Sequence, residues 1–166
     1  MGNLPKGAIM SANLGDEETS HVFIMTWNPD KFEISESDLA EYVELTKSDE
    51  PFEKSNWATG SRNSGVETGD IAYLFQQGQK GRGLIAKGVI QSEVYQDEHW
   101  DDEDSVTNFV DVVWSVWLSA SNRLPIEDVM AVTPNTHWNQ MQGSGVQLQP
   151  SDAGALLTLW DQWVAR

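Results

Sequence analysis

Gly69-Asp-Ile-Ala-Tyr-Leu-Phe-Gln-Gln-Gly-Gln-Lys-Gly-Arg-Gly-Leu-Ile-Ala-Lys-Gly-Val-Ile90 is the stretch on which the reading of the fold depends. Residues 71 to 75 form a nearly continuous apolar run of strand length, and residues 84 to 90 form a second. Between them lie Gly78, Gly81 and Gly83, which let the chain reverse, so the pair reads as a β-hairpin whose return strand continues toward Tyr95. Gly88, inside the second run, predicts a bulge or bend of the kind that curls a sheet into a barrel.

On the N-terminal side, His21-Val-Phe-Ile-Met-Thr-Trp27 reads as a first strand closed by the turn Asn28-Pro29-Asp30. A helix follows, capped by Ser35 or Ser37, with Leu39, Tyr42 and Val43 on one face, acids on the other, and Asp49-Glu50-Pro51 as its stop. Residues 57 to 65, Trp-Ala-Thr-Gly-Ser-Arg-Asn-Ser-Gly, are dense in turn formers and read as an irregular loop. On the C-terminal side, Val110, Val112, Trp114, Val116 and Leu118 alternate with Asp111 and Ser115, which predicts a half-buried strand with those five residues on one face. Pro125 starts a short helix through Met130 that Thr133-Pro134 breaks, and Leu156, Leu157, Trp160 and Val164 give a final helix its apolar stripe. Four or five strands interrupted by short helices predict an α+β domain with a strongly bent sheet or small barrel.

The chain has 166 residues, enough for one domain, with residues 1–20 read as an N-terminal extension and 21–166 as the folded unit. It has no cysteine, which excludes disulfide scaffolds and thiolate zinc sites. No apolar run approaches the ~20 residues that span a bilayer, and Met1 to Gly15 lacks the pattern of a secretory signal, so a cytoplasmic protein with no membrane partner is expected. With 26 acidic and 10 basic residues the net charge is −16, which argues against a surface uniformly attractive to phosphate. The charge is unevenly distributed. Between Lys54 and Ser92 the cations Lys54, Arg62, Lys80, Arg82 and Lys87 face only Glu67 and Asp70, a local balance of +3 that leaves −19 elsewhere. A solvated acidic surface explains the excess, and the central stretch stands out as a candidate contact surface.

Signals for catalysis are missing. There is no Gly-x-Ser-x-Gly elbow, no His-Glu-x-x-His and no P-loop, and the glycines at 78, 81 and 83 precede a strand instead of a helix. His99 beside Asp101, Asp102, Glu103 and Asp104 has the donor types for a divalent cation but not the spacing of a calcium loop, so the run reads as a solvated acidic loop. No metal or cofactor is expected.

The tryptophans carry more information. Trp114 and Trp160 fall on predicted core faces. Trp57, Trp100 and Trp138 fall in predicted loops, where burial beneath the loop and contact with a ligand are both open readings. Two facing indoles can sandwich a planar base, and Asn or Gln amides can read its edge, once that base has left its helix or comes from a single strand.

Trp27-Asn-Pro-Asp30, Trp57-Ala-Thr-Gly60, Gly69 to Phe75 with Gln77-Gly78, Arg82 to Ile90, His99-Trp-Asp101, Trp138-Asn139 with Ser144-Gly145, and Leu159-Trp160 form an ordered set from about Phe23 to Trp163. This set resembles the EVE domains of the PUA-like superfamily, relatives of the YTH readers of methylated RNA. It is most similar to the EVE-type module that precedes an HNH nuclease in modification-dependent restriction enzymes. The resemblance implies a PUA-like (EVE/YTH-type) barrel flanked by short helices. It also implies a non-enzymatic reader that flips a modified base of DNA, of the 5-methylcytosine or 5-hydroxymethylcytosine class, into a cage of Trp57 and Trp100. Thr59, Ser61, Asn63, Trp138, Asn139 and Ser144 would contact the base edge or close the pocket, and Arg62, Lys80, Arg82 and Lys87 would hold phosphates. Any cleavage would belong to an HNH nuclease domain or partner. The alternatives are an RNA reader of N6-methyladenine, or a module that binds a protein or small ligand through its acidic face.

Overall fold

The computed structural model describes residues 20–47, 54–99, 102–141 and 143–166, with the side chains at 98, 99 and 102–106 left aside. Strand β1 (Val22–Trp27) runs into helix α1 (Glu36–Lys47), and β2 (Ser55–Gly60), β3 (Ile71–Gln76), β4 (Gly83–Ile90), β5 (Tyr95–His99) and β6 (Asp102–Trp117) follow. The C-terminal part holds β7 (Leu124–Pro125), α2 (Ile126–Val132), β8 (Val146–Gln147) and α3 (Pro150–Ala165). One sheet connects all the described strands in the order β2-β6-β4-β3-β1-β8, with β5 also on β6 and β7 also on β4. Only β1 and β3 among these pairs run parallel, because α1 and β2 intervene and carry the chain back to the same end.

The predicted hairpin is present: β3 and β4 pair antiparallel, with Ile71 opposite Val89 and Gln76 opposite Gly83. Both apolar runs are continuous because the two central strands are covered on both faces. Ile71, Tyr73 and Phe75 join Val22, Ile24 and the buried residues of α2 and α3 in one core. Ala72 and Leu74 join Phe23, Met25, Val110, Val112 and Trp114 in a second, onto which Leu39, Tyr42 and Val43 of α1 pack. Ser35 caps α1, its hydroxyl accepting the Asp38 N–H at 3.1 Å.

Gly88 marks a real bend. The pairing of β4 with β6 slips between Lys87 and Gly88, and a Cβ at Gly88 would lie 2.6 Å from the Val113 carbonyl oxygen and 2.9 Å from the Trp114 ring. The extra residue on the partner is Ser115, whose hydroxyl donates to the Lys87 carbonyl at 3.1 Å. That bulge corrects the expectation for β6: Val110, Val112 and Trp114 share a face, but Val116 and Leu118 pack in the opposite core and Trp117 takes the place expected of Val116.

Two expected loops are strands. Residues 55 to 60 of the Trp57 segment pair with β6, Trp57 opposite Val110, and the strand ends where Gly60 turns to φ +63°. In the acidic run expected as a solvated loop, residues 97–99 end β5 and residues 102–104 begin β6, with His99 opposite Asp102, so these residues are paired strand. Of the expected N-terminal extension only Ser20 is among the described residues, and the helix stop at Asp49 to Pro51 lies outside them. No described helix is long and apolar enough to cross a membrane.

Candidate functional site

β2 is an edge strand, and its Trp57 is half-buried at the mouth of a cavity of about 680 Å³. The indole is held twice. Its Nε1–H donates to the Thr26 carbonyl at 3.2 Å, and its ring meets Trp114 edge to face, centroids 5.9 Å apart at 89°. Trp114 stands on Trp117 the same way (5.7 Å, 90°), and Tyr42 of α1 closes on Trp117 at 5.0 Å. The Trp27 Nε1–H, donating to the Phe32 carbonyl at 2.7 Å, folds the β1–α1 connection over this aromatic stack. The result is a ligand-sized concavity with Trp27, Phe32, Ile34, Tyr42, Trp57 and Trp114 as apolar wall.

The polar residues of the lining are amides and hydroxyls: Asn28, Ser55, Asn56 and Gln77 among them. Among the described lining residues the charged members are Lys31 and Lys54, in a chain of net charge −16, and Asp111 pairs with Lys54 at 3.6 Å. At the base of the cavity the Trp114 and Trp117 Nε1–H groups have no hydrogen-bond partner among the described residues, an expense of about 1 to 3 kcal/mol each that the aromatic packing must offset. Burial, then the nearby Asp38 and Glu41 carboxylates, raise the Tyr42 phenol above its ordinary value.

A second concavity, of about 600 Å³, lies past the end of β2, between residues 61–64 and 143–147. It is polar, and Ser61, Asn63 and Ser144, expected at the edge of the base pocket, line this second concavity and not the Trp57 cavity. Thr26 lines the first concavity, and its N–H donates at 3.0 Å to the hydroxyl of Ser144, which lines the second. Arg62 ties the facing loops together: Nε donates to the Gly145 carbonyl, Nη1 to the Ser64 carbonyl at 3.2 Å, and the guanidinium lies 5.0 Å over the Phe23 ring. Gly145 sits in the left-handed region at φ +84° with no room for a Cβ.

Other expected contacts are corrected. Thr59 is fully buried and spends its hydroxyl on the Arg62 carbonyl at 2.8 Å. Trp138 belongs to the core instead of a pocket loop: its Nε1–H donates to the Thr133 hydroxyl at 2.8 Å and its ring stands on Phe75. Asn139 is exposed, but its side-chain oxygen accepts from Arg82 at 2.8 Å, so Arg82 is engaged in holding the 138–140 turn. Lys87 is buried in β4 opposite Tyr73, because a residue paired across strands shares its partner's face. Lys80 is exposed in the β3–β4 turn and lines neither concavity. The central cations therefore do not form one surface. Trp100, the expected second cage wall, lies outside the described residues. Sequence reasoning missed Lys31, Asn28, Tyr42 and Trp117. The turn at Trp27 to Asp30 and the Trp114-x-x-Trp117 spacing were the available signals.

Among the described residues no group of three or more His, Asp or Glu side chains is placed to hold a metal ion. No family model matches the sequence, and no curated protein matches it. Among solved structures the chain is similar to a hypothetical protein from Leishmania major, at 14% identity and TM-score 0.60, over 86% of this chain and 96% of that one. It is similar to human THYN1 in complex with 5-methylcytosine containing DNA, at 17% identity and TM-score 0.55, over 84% and 97% of the two chains. A third is the protein PSPTO5229 from Pseudomonas syringae, at 14% identity and TM-score 0.51, over 83% and 98%. At such identities the likeness establishes the architecture alone: an α+β fold with a strongly bent sheet and flanking helices, shared with these three structures.

Proposed function

We propose that this protein reads a modified base in DNA, of the 5-methylcytosine or 5-hydroxymethylcytosine class, by accepting the extruded base into the Trp57 cavity. The observation that carries the reading is the lining itself: an aromatic pocket with amides at hand and, among its described residues, two lysines and no acid, in a strongly acidic chain. A planar, partly apolar ligand attached to a polyanion fits those walls better than an acidic or purely hydrophobic one. The THYN1 complex with 5-methylcytosine containing DNA, built on the same fold, supports the same ligand class. In this reading Trp57 is one wall of the cage and Trp100 the other, and the polar cleft of Ser61, Asn63 and Ser144 takes the neighbouring nucleotide. The protein binds without chemistry, and strand cleavage in a restriction role falls to an HNH nuclease domain or partner.

Base-on-aromatic stacking contributes about 1 to 3 kcal/mol, so Trp57→Ala is expected to weaken binding of a modified oligonucleotide roughly 5- to 150-fold and to abolish its preference over the plain one. Trp57→Phe keeps a flat ring and should retain part of that preference. Fluorescence polarisation with modified and plain oligonucleotides measures both, and circular dichroism checks that each variant folds. Full discrimination by Trp57→Ala would sink the cavity assignment. If an N6-methyladenine RNA displaces the modified DNA with higher affinity, the pocket stands but the substrate is RNA.

A further inference from the structure

Among the described residues Lys31 and Lys54 are the cations that line the Trp57 cavity, and although Lys54 belongs to the central basic stretch, neither is among the phosphate ligands that the resemblance implies. We propose that these two lysines form a phosphodiester subsite at the cavity mouth, gripping the backbone on which the inserted base is carried; this rests on the base-reading function above. Three observations support it. The alternative cations are engaged or misplaced: Arg62 and Arg82 hold loops, Lys87 is buried in the sheet, and Lys80 lines neither concavity. Lys31 is exposed on the β1–α1 connection and has no carboxylate within ion-pair distance among the described residues. Lys54, at the start of β2, pairs with Asp111 at 3.6 Å, but its side chain is 60% exposed. A pair of that kind is worth little in water, so Lys54 can exchange Asp111 for a phosphate at small expense. The released Asp111 keeps a partner, since the Tyr95 hydroxyl donates to it at 2.6 Å.

A phosphate contact carries no sequence information and a base contact does, so the two can be separated experimentally. Wild type, Lys31→Gln, Lys54→Gln and Lys80→Gln are titrated with a single-stranded DNA oligonucleotide carrying one 5-methylcytosine and with its plain counterpart, between 50 and 200 mM salt. Each phosphate neutralised on a single strand contributes about 0.7 to the slope of log K against log salt. Lys31→Gln and Lys54→Gln are each expected to lower the slope by about that amount, to weaken both oligonucleotides equally and to leave their ratio unchanged, while Lys80→Gln does nothing. Unchanged slopes in Lys31→Gln and Lys54→Gln, with the preference for the modified strand intact, overturn the phosphate subsite and leave the base pocket standing. So does a slope that falls only in Lys80→Gln. Equal affinity of the wild type for both oligonucleotides, with the slope still falling in the two variants, keeps the subsite and overturns the base-reading function.

Discussion

Replacing Gly145 by Ala tests the geometry that holds the polar cleft beside the cavity. Gly145 has φ +84°, and a Cβ placed on it would meet the Thr59 carbonyl oxygen at 2.6 Å, Thr59 Cβ at 3.2 Å and Arg62 Cβ at 3.3 Å. An L-residue in the left-handed region costs about 1 to 2 kcal/mol. Forcing one methyl against packed neighbours adds about 1 to 3 kcal/mol, and the closest of them here is backbone that cannot swing aside. The sum is about 2 to 5 kcal/mol, a large share of the ~5 to 15 kcal/mol that holds a typical domain together. Gly143, two residues away, is the comparison: it is exposed, has no atom within 4 Å of its ideal Cβ and has no positive φ. Gly143→Ala should therefore stay within about 0.5 kcal/mol of the parent or gain slightly. Urea unfolding followed by tryptophan fluorescence reads both, with midpoints compared at equal m. A Gly145→Ala midpoint indistinguishable from that of Gly143→Ala would refute the close approach of the 59–62 and 143–147 segments, and with it the cleft as drawn.

Gly88→Ala makes the same kind of demand on the sheet, where Val113 and Trp114 leave no room for a methyl; a loss of about 1 to 3 kcal/mol in the same assay is expected, and an unchanged midpoint would contradict the tight β4–β6 crossing. The Tyr95 phenol is pushed up to about 12, first by burial and then by its hydrogen bond to Asp111 and that residue's negative charge. Because the folded value lies above the ordinary one, this contribution to stability is whole below about pH 10 and is lost as pH rises through the folded value. Phenolate absorbance in an alkaline titration should show Tyr95 ionising late, and Asp111→Asn should bring it earlier; no change in Asp111→Asn would rule out that partner.

Where a segment's burial follows from its own residues, the sequence was enough. The runs 71–75 and 84–90 are apolar at consecutive positions because cores lie on both faces, and that pattern has few meanings besides a central strand. Ser35, Pro125 and most of the stripe of the last helix are legible for the same local reason: Leu156 and Trp160 are buried and Leu157 packs on them, but Val164, expected on that stripe, is exposed. The failures share a different cause. The slip at Ser115 is made by its partner strand, and nothing in the alternation from Val110 to Leu118 announces that Val116 changes sides. Trp57 lies in a segment rich in Gly, Ser and Asn, whose turn chemistry is overridden by pairing to β6, Trp57 itself opposite the distant Val110. Lys87 looked available as one of five cations, yet its register opposite Tyr73 commits it to the interior. Charge counted along the chain could not anticipate this, because strand alternation sends neighbours to opposite faces.

A strongly acidic chain whose two concavities carry no acid among their described lining residues is also constrained in how it can meet a polyanion. At physiological salt the field of a charge fades over about 8 Å, so carboxylates far from the cavity contribute little to a ligand seated beside Lys31 and Lys54. During approach, however, the −16 of the whole chain opposes any nucleic acid. Salt then acts in two directions: it weakens the local lysine contacts and relieves the long-range repulsion. The slope for the wild type should therefore be shallower than two phosphate contacts alone would produce, and only differences between variants isolate each lysine. The same balance penalises long non-specific tracts, where many phosphates meet acidic surface, more than the single extruded nucleotide of the proposed reading, whose phosphate contacts fall on Lys31 and Lys54. In the proposed reading, negative charge outside the pocket favours the short footprint at the expense of association rate.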